Sequence, residues 1–111
     1  MAPHAQAARA KASEALVGLF QSVDLVLAPT ARSTAPAPDA APTPITGDAP
    51  DHADAFVLGA NLAGLPALTL PVSLGDGLPA AAHLIGRHFG EPLLVRAAAA
   101  LERLASAEAR A

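Results

Sequence analysis

The chain has 111 residues, 7 Lys and Arg against 10 Asp and Glu, a formal net charge of −3, and no Cys, Trp or Tyr. That length holds one domain at most, and the lack of Cys excludes a disulfide scaffold, thiolate zinc ligands and a thiol nucleophile. Scattered basic residues and three separated Phe also exclude a nucleic-acid surface, which needs a basic face or stacked aromatics.

The composition is 52% hydrophobic, but more than half of that fraction is alanine. Burying an alanine methyl gains little beside the roughly 1.5–3 kcal/mol of a Leu or Phe, so the percentage overstates the core this chain can build alone. No apolar run reaches the length of a membrane span, since Pro, Gly or a charge interrupts each one. The opening Met1-Ala-Pro-His-Ala-Gln has no basic stretch leading into an apolar one, so no secretory signal is expected. A cytoplasmic protein is the expectation.

Residues 5–22 read as a helix, with Ala8, Ala12, Ala15, Leu16, Leu19 and Phe20 forming one apolar stripe at three- and four-residue steps. Asp24 opens a compact run, Leu25-Val26-Leu27-Ala28, stopped by Pro29. Its apolar residues do not alternate, which predicts a strand over 24–28 buried on both faces. Residues 29–50 hold six of the eleven prolines and keep no apolar period, so 29–53 reads as a long Pro-rich loop, a surface excursion. No PxxP spacing occurs in it, which disfavours an SH3-type ligand.

Residues 54–63 read as a short helix stopped by Gly64, with Pro66 two residues on. Ala67–Val72 is a strand whose Pro71 marks its end or an edge. Gly75-Asp-Gly-Leu-Pro79 is a turn and Ala80–Gly86 a second strand, so the two form a hairpin. Gly90-Glu91-Pro92 starts the last helix, with proline in the first turn, where its missing N–H costs nothing, and Glu91 at the positive end of the dipole. Leu93, Leu94, Ala97, Ala98, Leu101, Leu104 and Ala105 make its expected buried face. Three strands with a doubly buried member do not close a sheet, which points to a piece of a larger α/β protein.

The chemistry-bearing residues do not converge. Ser73-Leu-Gly-Asp-Gly77 has glycines on one side only and lacks G-x-S-x-G. Lys11, the only lysine, lies two residues from Ser13 on the first helix, a spacing that points the side chains apart. His4, His52, His83 and His88 include no i, i+4 pair, so no helical metal site is expected. Asp48, Asp51 and Asp54 read as solvated carboxylates at a helix entrance, where negative charge is favoured.

The ordered motifs are more specific. Asn61-Leu-Ala-Gly-Leu-Pro-Ala-Leu-Thr-Leu-Pro71 is followed by Gly77-Leu-Pro79, Leu84-Ile-Gly-Arg87, Phe89, Glu91, Leu93-Leu94 and Glu102. Upstream stands Asp24-Leu-Val-Leu-Ala-Pro-Thr-Ala31. Together they resemble the C-terminal segment of the amidase signature family, which includes the A subunits of tRNA-dependent amidotransferases. The resemblance covers about residues 5–105.

It implies the last strands and covering helices of a layered α/β fold around a mixed sheet, here incomplete, with 1–111 as one partial unit. It implies amide hydrolysis or transfer through a serine nucleophile, a second serine in a cis peptide and a lysine, in a Gly/Ser-rich stretch to which nothing here corresponds. A catalytically silent segment is therefore expected, completed by another subunit or by an N-terminal amidase half. The alternative is a non-catalytic binding module. The resemblance implies no cofactor or metal, and a small amide as the family's substrate. It also carries a substrate-holding role onto Asp54, seven residues before Asn61, and onto Asn61 itself; an N-terminal helix cap is the other reading of Asp54.

Overall fold

The computed structural model describes residues 2–31, 35, 37–39, 57–72 and 77–110. Most of the Pro-rich 29–53 loop, and Asp54 with it, lies outside them.

Helix α1 spans Pro3–Leu19. Pro3 sits at the first helical position, where its fixed φ suits the helix and its missing N–H is not needed. Of the expected apolar stripe, only Phe20, just past the helix, and Leu16 pack inward. Leu19 is 51% exposed, and Ala8, Ala12 and Ala15 face solvent. The stripe fails because α1 packs chiefly on one short helix, α2 (Leu58–Ala63), which is too small to cover four turns.

Strand β1 covers Val26–Pro29, β2 Ala67–Val72 and β3 Ala80–Ile85. They form an antiparallel sheet in the order β1-β3-β2. The β2–β3 hairpin follows the sequence expectation, with Thr69 opposite His83 and Leu70 opposite Ala82. The strand expected at 24–28 differs. β1 is an edge strand, and Leu27 is 62% exposed, so it is not buried on both faces. The last helix, α3 (Glu91–Arg110), lies mainly across β2 and β3 and leaves that part of β1 uncovered.

Hydrogen bonds just beyond the strand ends fix which backbone groups face outward. Thr30 N–H donates to Ala81 O at 3.1 Å and continues the β1–β3 register. Antiparallel ladders alternate bonded and non-bonded pairs. Val26 and Ala28 therefore bond β3, while Leu27 and Pro29 turn their backbone groups away from it. On the other side, Gly86 N–H donates to Pro66 O at 2.9 Å. By the same alternation Leu68, Leu70 and Val72 bond β3, and Ala67, Thr69 and Pro71 face outward. Both strand prolines thus stand where no ladder hydrogen bond is lost.

The sheet separates two small cores. On one face Ile85 packs with Phe20, Ala60 and Leu65, joined by Leu16, Val26 and Ala63. On the other Leu84 and Leu70 pack under Leu94 of α3, joined by Leu25, Leu68, Ala97, Ala98 and Leu101. The expected buried face of α3 is shorter than the sequence pattern. Leu94 is buried, whereas Leu93 is partly exposed and Leu104 is 65% exposed, because the helix runs on past its cover on the sheet. Gly86 lets α3 approach: a Cβ there would stand 3.0 Å from Leu94 Cγ.

Candidate functional site

The motif Asn61-Leu-Ala-Gly-Leu-Pro66 forms the end of α2 and the entry to β2. Gly64 takes the left-handed conformation at φ 69°, which a side chain would strain. Leu65 N–H then returns to Ala60 O at 3.1 Å, satisfying a terminal carbonyl and turning the chain into the sheet. Leu62 O receives Arg9 Nε at 3.0 Å and Ser13 Oγ at 3.4 Å from α1. Arg9 and Ser13 are thereby tied to the helix end. Ser13 and Lys11 lie in the exposed helix α1 with no sign of a serine–lysine dyad.

Asn61 lies on the exposed side of α2, next to buried Ala60. Its proposed companion Asp54 lies outside the described residues. Val57 occupies the N-cap of α2 and no side chain caps that end.

Sequence reasoning placed His83 within the strand expected over 80–86, and β3 carries it, 5% exposed. It missed the partner, since cross-strand register is not legible before pairing is known. Thr69 Oγ1 lies 3.3 Å from His83 Nδ1. Burial pushes the His83 pKa below the ordinary 6.5, because a charged imidazole loses its hydration there. His83 Nε2 and Thr30 Oγ1 are buried without a hydrogen-bond partner among the described residues. By register and alternation, Thr30, Ala28, Thr69 and His83 belong to the same sheet face as Ile85.

Arg87, the last residue of Leu84-Ile-Gly-Arg, is a second feature the motif alone did not explain. Its Nη2 donates to Phe20 O at 2.7 Å and Val23 O at 3.1 Å, and stands 3.5 Å from Asp24 Oδ1. The side chain fastens the end of α1 and the entry of β1 to the turn before α3. It borders a cleft of about 480 Å³ together with Glu14, Gln21, Leu65 and His88. In the turn itself Phe89 adopts φ 61° and is 92% exposed.

Among the described residues no three His, Asp or Glu side chains converge on a metal position. No described helix is long and apolar enough to cross a membrane. The described residues supply a buried neutral imidazole, two threonine hydroxyls and a carbonyl-clamping arginine, which can position groups but form no nucleophile–base pair.

These features define an α/β layered arrangement: among the described residues, one incomplete antiparallel sheet with helices on both faces. The family follows from comparison with known proteins. The amidase family model matches residues 1–95, and the chain belongs to that family. Over 95% of its length it is 38% identical to the A subunit of glutamyl-tRNA(Gln) amidotransferase from Parvibaculum lavamentivorans. It is 44% identical over 80 residues to the corresponding protein of Neisseria gonorrhoeae. Among solved structures, the Thermotoga maritima protein of the same name superposes with a TM-score of 0.62 at 32% identity, covering 79% of this chain and 19% of that one. The chain spans 16% of the Neisseria relative and 21% of the Parvibaculum relative.

Proposed function

We propose that these 111 residues are the C-terminal segment of an amidase-family amide hydrolase or amidotransferase, and that they do no amide chemistry by themselves. The observation that carries this reading is the pairing of family membership with coverage: the chain matches its relatives across 16–21% of their length. The motifs it holds build a sheet end rather than a serine–serine–lysine centre. In this reading a catalytic portion, encoded with the segment or separately, supplies the nucleophile and base. The segment supplies the wall behind the substrate, with Asp54 accepting hydrogen bonds from the substrate's N–H groups and Asn61 supporting that position. The parent substrate is a small amide, in keeping with the name amidotransferase that the relatives carry.

Exchange of segments tests this. A chimera is made in which residues 1–111 replace the matching segment of the Parvibaculum lavamentivorans protein, and ammonia release from a simple amide is measured. The chain alone is expected to release none and the chimera to release it. Asp54→Ala in the chimera is expected to raise KM about tenfold, the loss of roughly one charged hydrogen bond. Ammonia release by the purified chain alone, or a folded but silent chimera, would overturn the reading.

A further inference from the structure

The sheet face that carries Ile85 holds more than an apolar core. It also presents three polar residues, Thr69 on β2, His83 on β3 and Thr30 at the end of β1. Thr69 and His83 are direct cross-strand partners, with Thr69 Oγ1 3.3 Å from His83 Nδ1. The other ring nitrogen, Nε2, and Thr30 Oγ1 are closed off from solvent and have no hydrogen-bond partner among the described residues. The register sets these two atoms around one cell of the sheet. Ala28 stands opposite His83, and Thr30, whose N–H donates to Ala81 O, stands opposite Ala81. Thr30 and His83 take one diagonal of that cell, where neighbours lie about 7–8 Å apart. Ala28 and Ala81 take the other diagonal, and their methyl groups fill little of the space between the polar pair.

A buried polar group left unpaired weakens a fold, and a water that joins two to four such groups relieves it. We propose that one internal water bridges His83 Nε2 and Thr30 Oγ1, accepting from Nε2–H and donating to the hydroxyl, while Thr69 O–H donates to Nδ1. The proton order follows from the groups themselves: Thr69 has one hydroxyl proton, and Nδ1 accepts it only if Nε2 carries the ring proton. The occupant is a water rather than a side chain of the catalytic portion, because this segment by itself already closes both atoms off. Burial, which favours the uncharged ring, agrees with a single ring proton. The bridge makes one polar chain across all three strands, from Thr69 through His83 to Thr30. Thr30 is also where β1 passes into the 29–53 stretch that leads to Asp54. His83 is thus a positioning residue for the base of that stretch. This last step rests on the segment reading above, whereas the bridge rests on the residues of the sheet.

The chimera tests both parts without relying on a variant that must fold. Nitrogen-15 spectra of its histidines report which ring nitrogen of His83 carries the proton, and a high-resolution crystal structure reports the bridge. The expected result is a proton on Nε2 and a water roughly 2.7–3.2 Å from both Nε2 and Thr30 Oγ1. A proton on Nδ1, a direct Thr30–His83 bond, or a side chain in the water's place overturns the bridge; an active chimera then leaves the segment reading standing. A folded, silent chimera that holds the water overturns the segment reading and leaves the bridge standing. Positioning is read from steady-state kinetics. Thr30→Val keeps the shape and removes the hydroxyl, and His83→Leu removes both ring nitrogens. Each should raise KM for the amide about threefold or more with kcat little changed. His83→Gln, whose amide again offers an N–H, should restore most of the KM. Unchanged KM in both Thr30→Val and His83→Leu, or no rescue by His83→Gln, overturns the positioning role.

Discussion

Arg87 and His83 show how single side chains hold this segment together, and each makes a separable prediction. Arg87 donates to two main-chain carbonyls, whereas its partner Asp24 is 87% exposed, so solvent screens the ion pair. Arg87→Met in the chimera should cost about 1–2 kcal/mol through the lost carbonyl bonds. Asp24→Asn should cost about 0.5 kcal/mol or less; paired denaturant titrations separate the two, and an equal cost would mean the ion pair dominates. His83 sets a pH dependence. Its native pKa lies below its unfolded value of 6.5, so below that pH the unfolded chain binds a proton the native one refuses. Its contribution to stability is whole above about pH 6.5 and declines as pH falls towards the lowered native pKa. The denaturation midpoint of the chimera should therefore fall between about pH 7.5 and pH 5.5, and His83→Gln should make that fall shallower. An unchanged slope would show that His83 takes up its proton as readily in the native state as in the unfolded one.

At the scale of elements, local signals were legible and coverage was not. The hairpin could be read because Gly75-Asp-Gly-Leu-Pro79 separates two apolar runs. The start of α3 could be read because Gly90-Glu91-Pro92 is a first-turn signature. The family could be read because motifs such as Asn61-Leu-Ala-Gly-Leu-Pro66 keep their order. The site was less legible: Asn61 could be placed on its helix, while the Thr69–His83 pair depends on a register that no single strand encodes. The sequence misled at β1 and along α1 for one physical reason. An apolar run records the burial a residue is suited to, and Leu27, Leu19 and Leu104 are suited to neighbours that the described residues do not provide. Where cover is present, packing is close. Gly86→Ala would push a methyl against Leu94 and should cost about 1–3 kcal/mol. Leu94→Ala would open a cavity in the α3 core and should cost about 2–5 kcal/mol. Both are measured by denaturation of the chimera, and a neutral Gly86→Ala would mean that α3 can lift from the sheet freely.

The described residues form two cores divided by the sheet rather than a single core. Seven apolar residues are buried among those described, and no side chain falls below 2% exposure. Cooperative unfolding needs a core whose loss anywhere is felt everywhere. Here the Phe20–Ile85 cluster and the Leu84–Leu94 cluster lie on opposite faces of the sheet. Heating the isolated chain in a calorimeter should accordingly give no sharp transition, and a single sharp peak would show that the two cores act as one. The prolines bear on what such a chain does before its sheet is complete. Pro29 and Pro71 stand on opposite outer edges, each replacing an outward N–H with a ring. A stranger strand sliding along either edge finds its carbonyl unanswered at that position, so stacking into a continuous fibre ladder is interrupted once per edge. Leu27, two residues before Pro29, still offers both a donor and an acceptor. Any strand added to that edge would therefore need a register that leaves no acceptor facing Pro29.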